Sequence, residues 1–269
     1  MADTYQTIEI TRQQGSATLW LNRPGVHNAF NATMISELSR AVSELGSDKS
    51  ARIVIIRGRG KSFCSGADIK WMKEGAGQTA RQNYEEAQML SDCFRLIYNL
   101  PKPVIAVVHG ASTGGANGIV AASDIAICSD DAVFSLSEVR IGLVPSVISP
   151  WVIRRIGEFR ARELMLTAAR IYGSEAAAIG LVNRSCQLRE LDQVLDDLIG
   201  RLLEAGPEAL VLCKELIIHV CNIPGNGERD KYTAEMLAGL RVSGEGQEGM
   251  AAFLEKRKPR WTGTAGYEH

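Results

Sequence analysis

Residues 105–118 read IAVVHGASTGGANG. A β-branched apolar run ends at His109 and gives way to small residues, with glycines at 110, 114, 115 and 118. A strand without polar alternation belongs to a sheet covered on both faces, which is the α/β arrangement. The glycines that follow leave backbone amides open to a ligand. Gly110, Ser112 and Gly114 also spell G-x-S-x-G, so the stretch has two readings: a serine nucleophile on a tight elbow, or a cradle whose main chain does the chemistry. Downstream of Ser112 only His219, inside the helical run LIIHV, and His269, the last residue, could serve as its base.

Working outward, further strand-like runs occur at 7–11, 17–21, 52–57, 124–128 and 132–136, with helical patterns between several of them. Ala87, Leu90, Phe94 and Ile97 recur at helical spacing before Pro101, which predicts a helix over 84–100. From about residue 158 the patterning is mainly helical. Leu191, Val194, Leu195, Leu198 and Leu202 form one stripe, and Pro207 suits a first helical turn. The expected organisation is an α/β core over residues 1–190 and a helical region over 191–269, too small to bury its own stripes.

The 269 residues carry 30 basic and 31 acidic side chains, so no bulk charge invites nucleic acid or an anionic membrane. No apolar run is long enough to span a bilayer and the first residues lack a signal-peptide pattern, which predicts a cytoplasmic protein. Six cysteines without C-x-x-C spacing and four histidines suggest neither a metal site nor a disulfide framework. Gly60-Lys61-Ser62 resembles the end of a P-loop, but Ile55 stands where that loop needs glycine. The Rossmann glycine spacing is absent as well.

Three segments make better sense together. Ser62–Asp68 follows one predicted strand and Gly110–Gly118 another; both offer open amides, and a helix beginning near Gly115 would aim its positive end at the same place. Two such amides make an oxyanion hole. The third segment, 134–138, ends in Glu138 beside Val139 and Ile141, where burial would raise its pKa toward use in proton transfer.

NRPGVHNAF (22–30), FCSGADI (63–69), HGASTGGANGIVAASDIAI (109–127), SEVRIGLVP (137–145) and AFLEKRKP (252–259) together resemble the enoyl-CoA hydratase/isomerase, or crotonase, superfamily. The resemblance implies a core of ββα superhelical turns followed by a helical trimerisation region, in a homotrimer or a hexamer of two trimers. It implies an acyl-CoA substrate, with coenzyme A as carrier and no separate cofactor. The amides of Ala67 and Gly115 would hold the thioester oxygen, which makes Ser112 a turn residue; each such donor is typically worth about 2.7–4 kcal/mol in the transition state. CoA contacts would fall to Val26, Ala29, Ser65, Asp68 and Ile69, with Phe253 and Lys256 approaching from a helix of a neighbouring subunit.

Family hydratases commonly hold the catalytic water with two glutamates, and here Gly118 stands in the place of the first. Glu138 alone would either add water to the double bond, serving as base and then acid, or carry a proton between the α- and γ-carbons as a 3,2-enoyl-CoA isomerase. The segment LSEVRIGLVPSVISPWVI (136–153) is similar to that of bacterial methylglutaconyl-CoA hydratases, including those acting on longer, isohexenylglutaconyl-type thioesters of acyclic terpene breakdown. Gly118 is then expected to leave room for a 3-branched acyl group. Lys70 and Arg140, with Ser146 and Ser149, are candidates to meet the second carboxylate of such a substrate. Trp71 and Met72 either wall the acyl pocket or belong to the core; His109 ends a strand and Asp124 braces a loop. A CoA-binding protein without catalysis is a third reading.

Overall fold

The computed structural model describes residues 5–13, 15–223 and 225–262; His269, weighed above as a triad partner, lies outside them. The strands are β1 (Ile8–Gln13), β2 (Gly15–Leu21), β3 (Ala51–Gly58), β4 (Val104–Val108), β5 (Ala111–Thr113), β6 (Ile125–Ser129), β7 (Val133–Ser135), β8 (Arg170–Tyr172) and β9 (Arg184–Cys186). Helices α1 (Ala32–Ser47), α2 (Ile69–Gly75), α3 (Ala80–Asn99), α4 (Ala116–Ala122), α5 (Ser149–Thr167) and α6 (Gly173–Ala178) run between them. Helices α7 (Leu191–Glu204), α8 (Pro207–Val220), α9 (Asn226–Val242) and α10 (Gly244–Leu254) follow.

The larger sheet has the order β1-β2-β3-β4-β6-β9 and is parallel except for the β1–β2 hairpin. The smaller sheet, β5-β7-β8, pairs β5 with β7 in parallel. The units β4-β5-α4 and β6-β7-α5 each give one strand to either sheet before the helix returns the chain, so the strand-strand-helix turns expected from the sequence are present.

Burial on both faces explains the β-branched runs of β3 and β4. Val54, Ile56, Val104 and Ala106 join a cluster with Met34, Leu38, Phe94 and Ile97 from α1 and α3. On the other face Ile53, Ile55, Ile105, Val107 and Ile127 meet Leu191 and Leu195 of α7. The capping box of Thr79 with Gln82 sets the start of α3, and Pro101 follows shortly after its end.

Helix α8 is tied to the core by Lys214, whose Nζ donates to Asp124 Oδ2 at 2.7 Å and to the Lys102 carbonyl at 3.1 Å. Asp124 also accepts from the Val104 amide at 2.7 Å, which is the brace expected of it. Helices α8 to α10 leave Ile217, Leu237, Phe253 and Leu254 more than half exposed within the chain. Cys213 and Cys221 are exposed on or beside α8. Among the described residues no helix is long and apolar enough to cross a membrane.

Candidate active site

Strands β3 and β4 run parallel in register, Val54 opposite Val104 and Arg57 opposite Val107, so the chains leaving them travel together. The Phe63 amide donates to the His109 carbonyl at 2.8 Å and that of Cys64 to Ala111 at 3.0 Å; Thr113 donates back to Cys64 at 3.1 Å. Gly66 comes next, with φ +88°, and a Cβ there would stand 2.7 Å from the Thr113 carbonyl oxygen. Only glycine permits this approach.

Ala67 comes next after Gly66 on one side, and Gly115 stands two residues after Thr113 on the other. Their amides donate to no backbone or side-chain acceptor among the described residues. Gly115 immediately precedes α4, whose Asn117 and Gly118 amides donate back to the Gly114 and Gly115 carbonyls at 3.0 and 2.9 Å.

A second layer holds this pair in place. His27 and Asn28 adopt left-handed backbone, φ 53° and 56°. The Asn28 amide group offsets that strain by donating to the Arg59 and Ser62 carbonyls, both at 2.8 Å, while its oxygen accepts from the Arg23 amide. Phe30 donates to Gly66 at 2.7 Å, and Asp68 donates to Phe30 at 2.8 Å. Across the site, Asn117 donates from Nδ2 to the carbonyls of Ser112, Gly114 and Ser135.

Glu138 begins a 3-10 turn, Glu138–Ile141, just beyond β7. The Gly114 amide donates to the Ser135 carbonyl at 2.8 Å, which draws the cradle onto β7 and its Glu138. The carboxylate lies over Gly114, with Oε1 3.2 Å from where a Cβ would be. Gly114 also has φ +54°, so both space and backbone demand glycine there.

Burial raises the pKa of Glu138 above the usual glutamate value, outweighing the hydrogen bond from its own amide. Oε2 is buried without a hydrogen-bond partner among the described residues. An acid with no ion-pair partner among the described residues and a spare oxygen, set beside a cradle with open amides, has the chemistry to carry a proton next to an anion site.

Several expected residues are placed otherwise. Ser112 is fully buried and donates to Asn117 Oδ1 at 3.0 Å. His219 is stacked on Tyr232, and His109 binds the Gly60 carbonyl through Nε2 at 2.8 Å. The nucleophile-elbow reading therefore fails among the described residues. Cys64, within the same loop system, is no nucleophile either, since burial pushes its thiol up to about 12.

Asp68 uses its carboxylate within the fold. Oδ1 accepts from the Lys70 amide, capping α2, and Oδ2 pairs with Arg23 at 2.8 Å. The Lys70 amide first, helped by Arg23, holds its pKa below the usual range against burial.

The space expected beside Gly118 is filled. A Cβ there would run into the Phe94 ring and lie 2.9 Å from Ile148 Cγ2, and both neighbours are buried. This corrects the idea that glycine at 118 leaves room for a branched chain, and it is a constellation the spacing of α3 alone did not reveal. Position 118 is an apolar contact, with no oxygen to hold water.

Val26 and Ala29 lie on the loop after β2, Ser65 lies on the loop after β3, and Ile69 begins α2. The Ser65 amide donates to His27 at 2.9 Å and its hydroxyl reaches the Val26 carbonyl at 3.4 Å; Ile69 is 71% exposed. Lys70 is exposed, and Arg140 donates to the Ala168 carbonyl at 3.1 Å. Phe253 is 83% exposed on α10, and Lys256 is exposed with φ 54°. No hydrogen bond or ion pair among the described residues draws either to the cradle. Their helix is fastened instead through Glu245, which accepts from the Glu208 and Ala209 amides of α8.

Comparison with known proteins agrees with this geometry. Residues 11–264 match the enoyl-CoA hydratase/isomerase family. A putative enoyl-CoA hydratase of Thermus thermophilus is 33% identical over 247 residues, covering 91% of this chain and 96% of that protein. The trans-2-decenoyl-[acyl-carrier-protein] isomerase of Streptococcus mutans is 30% identical, covering 96% and 99%. Among solved structures, an enoyl-CoA hydratase from Shewanella pealeana superposes with a TM-score of 0.91 at 36% identity, covering 95% of this chain and 96% of that one.

Proposed function

The chain belongs to the enoyl-CoA hydratase/isomerase family, and on that premise we propose that it adds water across the 2,3 double bond of an enoyl-CoA using Glu138 alone. The observation that carries the reading is the Glu138 carboxyl over Gly114, its pKa raised by burial and its Oε2 unpartnered, next to two amides without acceptors.

In this mechanism the thioester oxygen accepts hydrogen bonds from the Ala67 and Gly115 amides. Glu138 takes a proton from water as the oxygen bonds to the β-carbon. The π electrons pass to the thioester oxygen as an enolate, and Glu138 returns the proton to the α-carbon. One water is consumed and Glu138 is regenerated. The amides meet charge that exists fully only in the enolate, so they lower the barrier more than they tighten substrate binding. We assign the carrier's contacts to the loops bearing Val26, Ala29, Ser65, Asp68 and Ile69, with Phe253 and Lys256 reaching the cradle of a neighbouring copy in a homotrimer or hexamer. The exposed apolar side chains of α8 to α10 support that assembly.

For the acyl group we propose a 3-substituted glutaconyl thioester. Its support is the likeness of residues 136–153 to that group of hydratases; the filled space at Gly118 withdraws the steric argument. A second reading, double-bond isomerisation by the same carboxyl, is favoured by the apolar packing of Phe94 and Ile148 at position 118 and by the resemblance to an isomerase. Turnover of enoyl-CoAs in 18O-water separates them. Label in a 3-hydroxyacyl product supports hydration, and a migrated double bond without label discards it.

A further inference from the structure

Among the buried polar side-chain atoms that have no partner in the described residues are Glu138 Oε2, on the carboxylate whose Oε1 lies over Gly114, and Trp71 Nε1. The second belongs to α2, which Asp68 caps directly after Ala67. Trp71 is the third residue of α2 and stands four positions after Ala67 in the chain. Its neighbours Ile69, Lys70 and Met72 are exposed, whereas Trp71 packs against the main apolar cluster, as does Leu90. Leu90 in turn reaches Gly115, its Cδ2 3.9 Å from where a Cβ would stand. Leu90 thus belongs to the apolar side of the cradle, and Trp71 joins the same apolar cluster from the helix that follows Ala67.

A tryptophan buried for its ring normally turns its N–H to an acceptor. An N–H left without one is costly, and a ligand that brings the acceptor recovers that cost on binding. The other candidates for meeting a polar group on the acyl chain are worse placed. Lys70 is exposed, Arg140 is held by the Ala168 carbonyl, and the Ser149 hydroxyl donates to the Ser146 carbonyl.

We propose that the Trp71 indole N–H is a specificity determinant that donates to a carboxylate at the far end of the acyl group. The inference rests on the substrate reading above and gives it a named residue. A charge-assisted bond of this kind converts to roughly a tenfold to hundredfold preference for the acid over its uncharged counterpart.

The test compares glutaconyl-CoA with crotonyl-CoA on the native protein and on Trp71→Phe, which keeps a ring and removes the donor. The expected result is a tenfold or greater loss of kcat/KM for glutaconyl-CoA, carried by KM, with crotonyl-CoA changed less than twofold. Equal losses on both, or none on either, assign Trp71 to packing and overturn the donor while leaving the substrate reading intact. A native protein that prefers crotonyl-CoA overturns both. Should Trp71→Phe fold poorly, the native indole 1H–15N signal is read instead. Saturating glutaryl-CoA should move the Trp71 signal downfield while butyryl-CoA leaves it in place, and identical responses to the two refute the proposal.

Discussion

Replacing Glu138 by glutamine keeps the side-chain volume and removes the proton carrier. A single acid or base commonly contributes about 10²- to 10⁴-fold to turnover. Here one carboxyl both takes and returns the proton, and no other titratable side chain is bonded to it, so the loss should approach the upper figure, about 5.5 kcal/mol of barrier. Because burial raises the pKa of Glu138, the acid limb of kcat/KM should lie above the ordinary glutamate value of 4.5 and disappear in Glu138→Gln. Stability should move in the opposite direction. A carboxyl whose folded pKa exceeds its unfolded pKa contributes its full stabilisation below the unfolded value and loses it as pH rises through the folded one. Glu138→Gln should therefore be at least as stable as the native protein at pH 7, and its advantage should shrink toward pH 4. Steady-state turnover of an enoyl-CoA across pH, with urea unfolding at both pH values, reads all three effects. Activity of the variant within tenfold of native, or an acid limb that survives the substitution, would refute the single-carboxyl mechanism.

Ser112→Ala should leave turnover of the folded enzyme within about twofold, yet lower stability by about 1–3 kcal/mol, because Asn117 loses a buried donor; a fluorophosphonate adduct on native Ser112 would contradict this. Lys214→Met leaves Asp124 with the Val104 amide as its hydrogen-bond donor and Arg155 as the nearby cation, and should cost about 3–5 kcal/mol in denaturant unfolding. A change below 1 kcal/mol would show that the pair does not fasten α8. Gly118→Ala should destabilise by about 1–3 kcal/mol through contact with Phe94 and Ile148, and Phe94→Leu in the same chain should recover part of the loss. Strict additivity of the two changes would place the contact elsewhere.

The long strands were legible because β3 and β4 are buried on both faces and carry no competing period; the helix over 84–100 was legible because its stripe meets one face of the sheet. Strands β5, β8 and β9 have three residues each, too few for a period, and exist because β7 and β6 present edges to them. The cradle could be read from its glycines. The engagement of Asp68 with Arg23 could not, since nothing local to either residue announces a partner 45 positions away.

Gly118 shows why a missing side chain is poor evidence for an open site. The sequence displays the deletion of volume at one position, whereas packing is settled by whichever neighbours reach that position. Cores close such gaps, since an empty slot costs about 24 cal/mol per Å3 of cavity. Here Phe94, one helical turn after the Leu90 that faces Gly115, extends the same α3 wall onto α4, and Ile148 closes it from the start of α5. What glycine gives up in this protein is a polar group rather than space. In the proposed mechanism that leaves Glu138 as the acid at the cradle and makes its protonation state the quantity on which turnover depends.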